Sequence, residues 1–255
     1  MLKLLIHMLR FSPLRLRVFE SCRLRYRYQY VDKIGARLRP SDTAGTLVHR
    51  VLGDFFSKVA SADRAAGRLV EMFEIGWAAL SPRYLRMDGA EGWRQASVAQ
   101  LRNFARHHNL AAEPFAVEAY LQAEVAPGVI LFGRMDRIDE EPDGTLHIID
   151  YKAGEPRDEV DASQVRLYAI MVERGLARIV SKVSFWYLDD GTAWTETLDD
   201  SVKRLALQDM LAAVEEMQRI SDFPPTIAPH CAHCPYLHAC EVRADIERRR
   251  KVEGW

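Results

Sequence analysis

The stretch that most constrains this chain runs from Val129 to Gly154: Val-Ile-Leu-Phe-Gly-Arg-Met-Asp136-Arg-Ile-Asp-Glu-Glu-Pro-Asp-Gly-Thr-Leu-His-Ile-Ile-Asp150-Tyr-Lys152-Ala-Gly. Two apolar, β-branched runs flank Glu-Glu-Pro-Asp-Gly, whose Pro and Gly supply the dihedrals of a turn, so the stretch predicts a β-hairpin. Side chains alternate along a strand, which puts Asp150 and Lys152 on one face and Tyr151 on the other. Pairing Asp139 with Thr145 sets Asp136 opposite Ile148 and diagonal to Asp150, with β-carbons about 7 Å apart. Two carboxylates at that spacing can share a hard divalent cation, and the lysine beside them can orient or deprotonate a water. An isolated Asp-x-Lys is more often a solvated surface feature. Here the charges end the apolar run Leu-His-Ile-Ile, where a buried carboxylate is costly unless compensated, and a cation is one compensation.

These residues resemble the Asp…(Asp/Glu)-x-Lys core of the restriction-endonuclease-like superfamily. Gly-Arg-Met-Asp-Arg-Ile-Asp and Ile-Asp-Tyr-Lys-Ala-Gly are similar, more narrowly, to its RecB-like exonuclease branch. Other stretches carry the likeness further. The apolar positions 48, 51, 52, 55 and 56 have helical period, in a helix opened by Gly45-Thr46. A lone histidine on such a helix is usually structural, yet Gly-Thr-x-x-His-x-x-Leu matches the family's first motif, which implies that His49 completes the metal site. Phe115–Val125 alternates like a strand, and Glu118 stands where related nucleases place an outer ligand. Asp161–Gly175 reads as a helix with an apolar stripe at 165, 168, 169 and 172 and Gly175 as its cap. On it Gln164 and Tyr168 match the family's Gln-x-x-x-Tyr motif, which implies that they seat the DNA strand. Val180–Leu188 reads as a further strand and Ser201–Ile220 as an amphipathic helix.

With 255 residues, 48% of them apolar, the chain can bury a full core as a single domain over residues 1–255. Residues 63–110 look helical, broken at Gly67, Ser81-Pro82 and Gly89–Gly92. They hold no catalytic spacing and read as an insertion that can cover a substrate channel. The apolar opening Met1–Leu9 is too short to span a bilayer and no cleavage site follows it, so the expectation is a cytoplasmic protein without a membrane partner.

The formal charge of −1 hides an asymmetry: residues 1–50 hold 11 Lys/Arg against 3 Asp/Glu, leaving 24 against 33 in the remainder. Such a basic segment is a candidate backbone-binding surface for nucleic acid, or its arginines pair within the molecule. Within it, Ser12-Pro13 starts a predicted helix whose apolar face is Leu14, Val18, Cys22 and the Tyr26/Tyr30 pair. Arg15, Arg17, Arg25 and Arg27, interleaved with tyrosines, can hold phosphates while the rings stack bases or pack as core.

The remaining three of the four cysteines form Cys231-x2-Cys234-x5-Cys240 among prolines. This spacing is a metal knuckle more naturally than a disulfide framework, and with a distant fourth thiol it suits zinc or a 4Fe-4S cluster; His230, His233 and His238 keep zinc open. Ser-Pro-x-x-Leu-x-x-Phe-x-x-Cys resembles the start of iron-sulfur RecB-like nucleases. The resemblance implies that Cys22, Cys231, Cys234 and Cys240 hold the cluster, although Arg23 stands where a proline commonly follows.

The expected architecture is an α/β, restriction-endonuclease-like core: a mixed central sheet flanked by helices, with the helical insertion and the chain ends joined by the cluster. The expected activity is metal-dependent DNA cleavage, a single-strand exonuclease in repair and recombination. His49, Asp136, Asp150 and the backbone carbonyl of Tyr151 would hold Mg2+ or Mn2+, Lys152 would align the attacking water, and Glu118 is a further ligand candidate. A nuclease of CRISPR spacer acquisition and a catalytically silent iron-sulfur DNA-binding module are the alternatives. No G-x-x-x-x-G-K-[ST] loop is present, so any helicase is a separate partner.

Overall fold

The computed structural model describes residues 8–37, 39–153 and 160–255. The first seven residues of the apolar opening, and residues 155–159 of the polar connection after the hairpin, lie outside them. The described residues divide into two compact units. One holds those up to Pro13 together with Pro40–Leu207; the other holds Leu14–Arg39 and Gln208–Trp255.

The first unit is built on a mixed six-stranded sheet: β1 (Leu9–Phe11), β2 (Ala116–Ala126), β3 (Val129–Glu140), β4 (Leu146–Lys152), β5 (Val180–Tyr187) and β6 (Ala193–Thr197). β2 pairs antiparallel along one edge of β3. The other edge of β3 is shared end to end by β1, parallel at Val129–Leu131, and β4, antiparallel at Arg137–Glu140. β4 continues into parallel β5, and β5 into antiparallel β6. This is the expected α/β sheet flanked by helices; β1 and β6, too short to leave a periodic signal, were not expected.

The hairpin forms, with its register two residues from the expectation. β3 runs on to Glu140, and a turn closed by Glu141 N–H to Thr145 O and Gly144 N–H to Glu141 O, with Gly144 at φ 82°, returns the chain at Leu146. The pairs are Asp139↔His147 and Arg137↔Ile149, so Asp136 falls opposite Asp150 itself rather than Ile148. A shift of two preserves which face each side chain takes and changes only its neighbour.

The helices are α1 (Pro13–Ser21), α2 (Arg23–Tyr26), α3 (Pro40–Lys58), α4 (Ala66–Ala78), α5 (Pro82–Leu85), α6 (Ala90–His107), α7 (Ser163–Leu176), α8 (Asp200–Arg219) and α9 (Arg243–Glu253). α3 starts a turn and more before Gly45-Thr46, with Pro40 in its first turn, where a missing N–H costs nothing. In the 63–110 region Ser81 accepts from Tyr84 N–H and Pro82 follows it, as expected of a helix start, and Gly89 at φ 79° opens α6. Gly67 sits inside α4 without breaking it. α7 is buried nearly all round, at Leu167, Ile170 and Met171 as well as the expected stripe, and its cap is Ala177 at φ 53° instead of Gly175. Among the described residues no helix is long and apolar enough to cross a membrane.

α3, α4 and α6 share one core with the sheet: Leu52, Phe55, Leu69, Phe73, Leu101 and Phe104, all fully buried, pack with Ile149 and Tyr151 of β4. Phe104 meets Phe56 edge-on at 6.1 Å and Tyr151 at 5.6 Å. The 63–110 helices therefore hold up the strand that carries Asp150 and Lys152.

In the second unit the expected single helix over residues 13–30 breaks at Cys22. Its backbone is extended (φ −165°, ψ 113°), and α2 restarts after it and continues into a wider turn at Arg27–Val31. Leu14, expected on the apolar face, is 51% exposed, and Leu16, Val18 and Phe19 are buried instead. Val18, Phe19 and Tyr26 pack with Met217, Ile220 and Phe223; Cys22, Leu24 and Tyr28 pack with Tyr236.

Because Phe104 bridges the helical layer and β4, Phe104→Ala is expected to cost about 3–5 kcal/mol in urea unfolding. A loss below about 1 kcal/mol would show that the layer does not share the core of the sheet.

Candidate functional site

Asp136 is the centre of the side-chain constellation at the hairpin. His49 Nδ1–H donates to its Oδ1 at 3.0 Å, and the Tyr151 backbone N–H donates to its Oδ2 at 2.8 Å. One carboxylate thus joins α3, β3 and β4. Its sequence neighbour Arg137 also reaches α3, lying 4.5 Å over the Phe56 ring while Asp139 grips it at 2.7 and 2.8 Å. Two consecutive residues of β3 turned to the same helix mean that the strict alternation of a strand fails here. Opposite, between Val117↔Arg137 and Ala119↔Met135, stands Glu118 at φ 49°, a left-handed conformation that costs a non-glycine residue free energy. Such strain persists where surrounding structure over-determines it.

That irregularity brings Glu118 to Asp136 and His49: one ligand atom from each of the three lies within 4.8 Å of the others. Room for Glu118 comes from Gly53, one turn beyond His49 on α3, where a Cβ would collide with the Glu118 Cγ. Arg134 donates loosely to Glu118 at 3.4 Å.

Asp150 and Lys152 share a face, as alternation requires. Asp150 is 6% exposed; Gln164 Nε2–H donates to its Oδ1 at 3.1 Å, and Lys152 Nζ lies 2.6 Å from its Oδ2. That proximity is an ion pair without hydrogen-bond alignment, and among the described residues Oδ2 accepts no hydrogen bond. Lys152 Nζ donates to Gln164 Oε1 at 3.1 Å, and Gln164 reaches the Tyr168 hydroxyl at 3.2 Å. Gly133 makes room for the Tyr168 ring, which a Cβ would meet at 2.6 Å.

Burial raises the Asp150 carboxyl above its ordinary value; Lys152 opposes this and the Asp136 charge adds to it. Burial and the Asp136 charge raise Glu118 likewise. For His49, burial pulls the imidazole down, but its hydrogen bond to Asp136 and the charges of Asp136, Asp150 and Glu118 outweigh that and leave it raised. Burial is the larger cause for the two carboxyls and neighbouring negative charge adds to it; a bound cation relieves both.

The four thiols line one cavity of the second unit, with Arg25, Tyr28, His230 and Tyr236 in its wall. None is in a disulfide. The extended backbone at Cys22 lets Arg25 N–H and Thr226 N–H both donate to its sulfur, at 3.5 Å each. Cys231 lies within a short 3-10 turn, Pro229–His233, that Cys234 ends, and a second such turn, Leu237–Ala239, leads to Cys240. His230 Nε2 and His238 Nδ1 are buried without a hydrogen-bond partner among the described residues. Of the arginines singled out in the sequence, Arg15 donates to the Tyr26 hydroxyl at 2.8 Å, Arg27 pairs with Asp32 at 3.0 Å, Arg25 faces the thiols and Arg17 is exposed.

A family model described as the PD-(D/E)XK nuclease superfamily matches residues 10–241. The chain belongs to that superfamily. A crystal structure of a candidate exonuclease from Eubacterium rectale has the same fold, at a TM-score of 0.52 and 11% identity over 87% of this chain and 86% of that one. A second, of the protein SSO0001, aligns over 92% of this chain and 86% of that one at 15% identity, with a TM-score of 0.36, too low to speak to fold. No curated protein matches the sequence. Nucleases of the PD-(D/E)XK superfamily use divalent metals, and His49, Glu118 and Asp136 form a candidate site for one.

Within this PD-(D/E)XK fold, sequence reasoning missed the two glycines that let Glu118 and Tyr168 in. Gly53 carried a usable signal, since a glycine in mid-helix costs about 1 kcal/mol against alanine and asks for a reason. Gly53→Ala is expected to displace the Glu118 carboxylate and to weaken Mn2+ binding about tenfold or more in calorimetric titration. Unchanged affinity would separate Glu118 from the cation.

Proposed function

We propose that this PD-(D/E)XK protein is a Mg2+- or Mn2+-dependent deoxyribonuclease of the RecB-like kind, an exonuclease on single-stranded DNA in repair and recombination. The observation that carries the reading is the donor set. His49, Glu118 and Asp136 converge within 4.8 Å, and beside them lies the buried Asp150, its Oδ2 2.6 Å from the Lys152 ammonium. Carboxylate oxygens with one imidazole suit a hard divalent cation, with the Tyr151 carbonyl as a further oxygen. When bound, such a cation supplies charge stabilisation at the scissile phosphate and a more acidic water.

The chain's own groups do the rest. Lys152, held between Asp150 and Gln164, keeps its ammonium at the edge of the carboxylates, where it orients the attacking water and donates to charge developing on the phosphate. Gln164 ties Lys152, Asp150 and Tyr168 into one network, so the face that seats the strand is registered to the group that acts on it. Unwinding of a duplex is assigned to a separate helicase.

The thiol cavity fits a 4Fe-4S cluster held by Cys22, Cys231, Cys234 and Cys240. Zinc–sulfur bonds of about 2.3 Å in a tetrahedron put thiolates about 3.8 Å apart. Among the described residues no three of these thiols come within 4.8 Å of one another. The wider set suits a group in which each sulfur meets its own metal, and the two N–H groups on Cys22 suit a charged sulfur. Such a cluster would clasp residue 22 to residues 231–240, a closure worth on the order of 5 kcal/mol by the cross-link entropy model.

Lys152→Ala is expected to abolish cleavage of labelled single-stranded DNA in Mn2+ while leaving Mn2+ affinity largely intact; Asp150→Ala is expected to lose both. Near wild-type single-turnover rates in the lysine variant would end the assignment. Anaerobically purified protein is expected to be brown with about four irons. Stoichiometric zinc without visible absorbance would replace the cluster by zinc and leave the clasp in place.

A further inference from the structure

The sheet carries an exposed strip that the metal and thiol sites leave unused. Tyr120 of β2 is 53% exposed and pairs across the ladder with Arg134 of β3, whose side chain is 63% exposed. Two residues along, Gln122 pairs with Phe132, and the Tyr120 and Phe132 rings lie 6.4 Å apart. Beyond them Arg10 of β1 sits 5.4 Å over Phe132 and donates to Gln122 at 2.8 Å. Side chains two apart on a strand share a face at steps of about 6.8 Å, so the strip extends about 14 Å from Glu118. It is continuous with the candidate metal ligands, since Arg134 pairs with Glu118.

Resting on the nuclease reading, we propose that this strip is a track for a single nucleic-acid strand, leading bases over Tyr120 and Phe132 and phosphates along Arg10 and Arg134 toward the carboxylates. One exposed ring and one half-buried ring, flanked by two guanidiniums, match a chain that alternates flat bases with anions. The exposed Glu124 farther along β2 accepts from the Gly128 N–H at 2.8 Å. The pair between Arg134 and Glu118 is long and exposed, so a phosphate competes with it readily. A duplex keeps its base faces stacked inside, which makes the unpaired strand the occupant.

The test is fluorescence anisotropy of labelled oligodeoxythymidine with Mn2+, in full-length protein carrying Lys152→Ala so that the strand stays intact. Tyr120→Ala and Phe132→Ala are each expected to weaken binding about tenfold. Tyr120→Phe restores it, and the melting temperature and calorimetric Mn2+ affinity stay unchanged. Arg134→Gln is expected to flatten the salt dependence by a slope of about 0.7. Binding within twofold of the parent in both alanine variants overturns the track, as does equal weakening for a blunt duplex. A wild-type protein that cleaves no phosphodiester sinks the nuclease reading alone, whereas strand binding that responds to Tyr120 keeps the track.

Discussion

The carboxylate of Asp136 is the interaction on which the first unit's chemistry depends. Its two oxygens are committed to different elements, one to the imidazole of His49 on α3 and one to the Tyr151 N–H on β4. The β3–β4 ladder stops at Arg137↔Ile149, so this contact extends the pairing one step further by a side chain. Fixing Asp136 in this way aligns the backbone of the strand that carries Asp150 and Lys152. The same bond fixes the orientation of the imidazole beside the carboxylates.

Around that contact, order is bought with irregularity. Glu118 holds a left-handed backbone at the third position of an eleven-residue strand, and the alternation of β3 fails at Asp136 and Arg137 opposite it. A regular strand would have turned either Glu118 or Asp136 away from α3. Arg137, 2% exposed between the Phe56 and Trp186 rings, anchors the irregular turn on its other side. Burial raises the carboxyls, and the negative charge gathered beside His49 raises the imidazole despite its own burial.

What was legible in the sequence follows from the range of the forces involved. The Asp-x-Lys face, the hairpin and the helices around His49 and Gln164 rest on periods of 2 and 3.6 residues, which any short window displays. The register of Asp136 against Asp150 was not, because a turn can close at Gly144 from several starting points and a shift of two leaves every face unchanged. Nor was the break at Cys22: Leu16, Val18 and Phe19 keep a helical period up to it, and one of the two N–H groups that meet its sulfur belongs to Thr226, 204 positions away. The close approaches at Gly53 and Gly133 belong to pairs of elements, and no single element's sequence contains them.

The second unit is discontinuous: Leu14–Arg39 and Gln208–Trp255 together form it, with the whole of Pro40–Leu207 between. At about 5–20 residues per second of synthesis, roughly 10–40 s separates the emergence of Arg39 from that of Cys231. Through that interval the sulfur of Cys22 and the rings of Phe19 and Tyr26 have no Thr226 or Phe223 to meet. The sheet unit can fold on the ribosome while the thiol unit waits for the last fifth of the chain. Its first segment is thus the part of the nascent protein that a chaperone has most reason to hold.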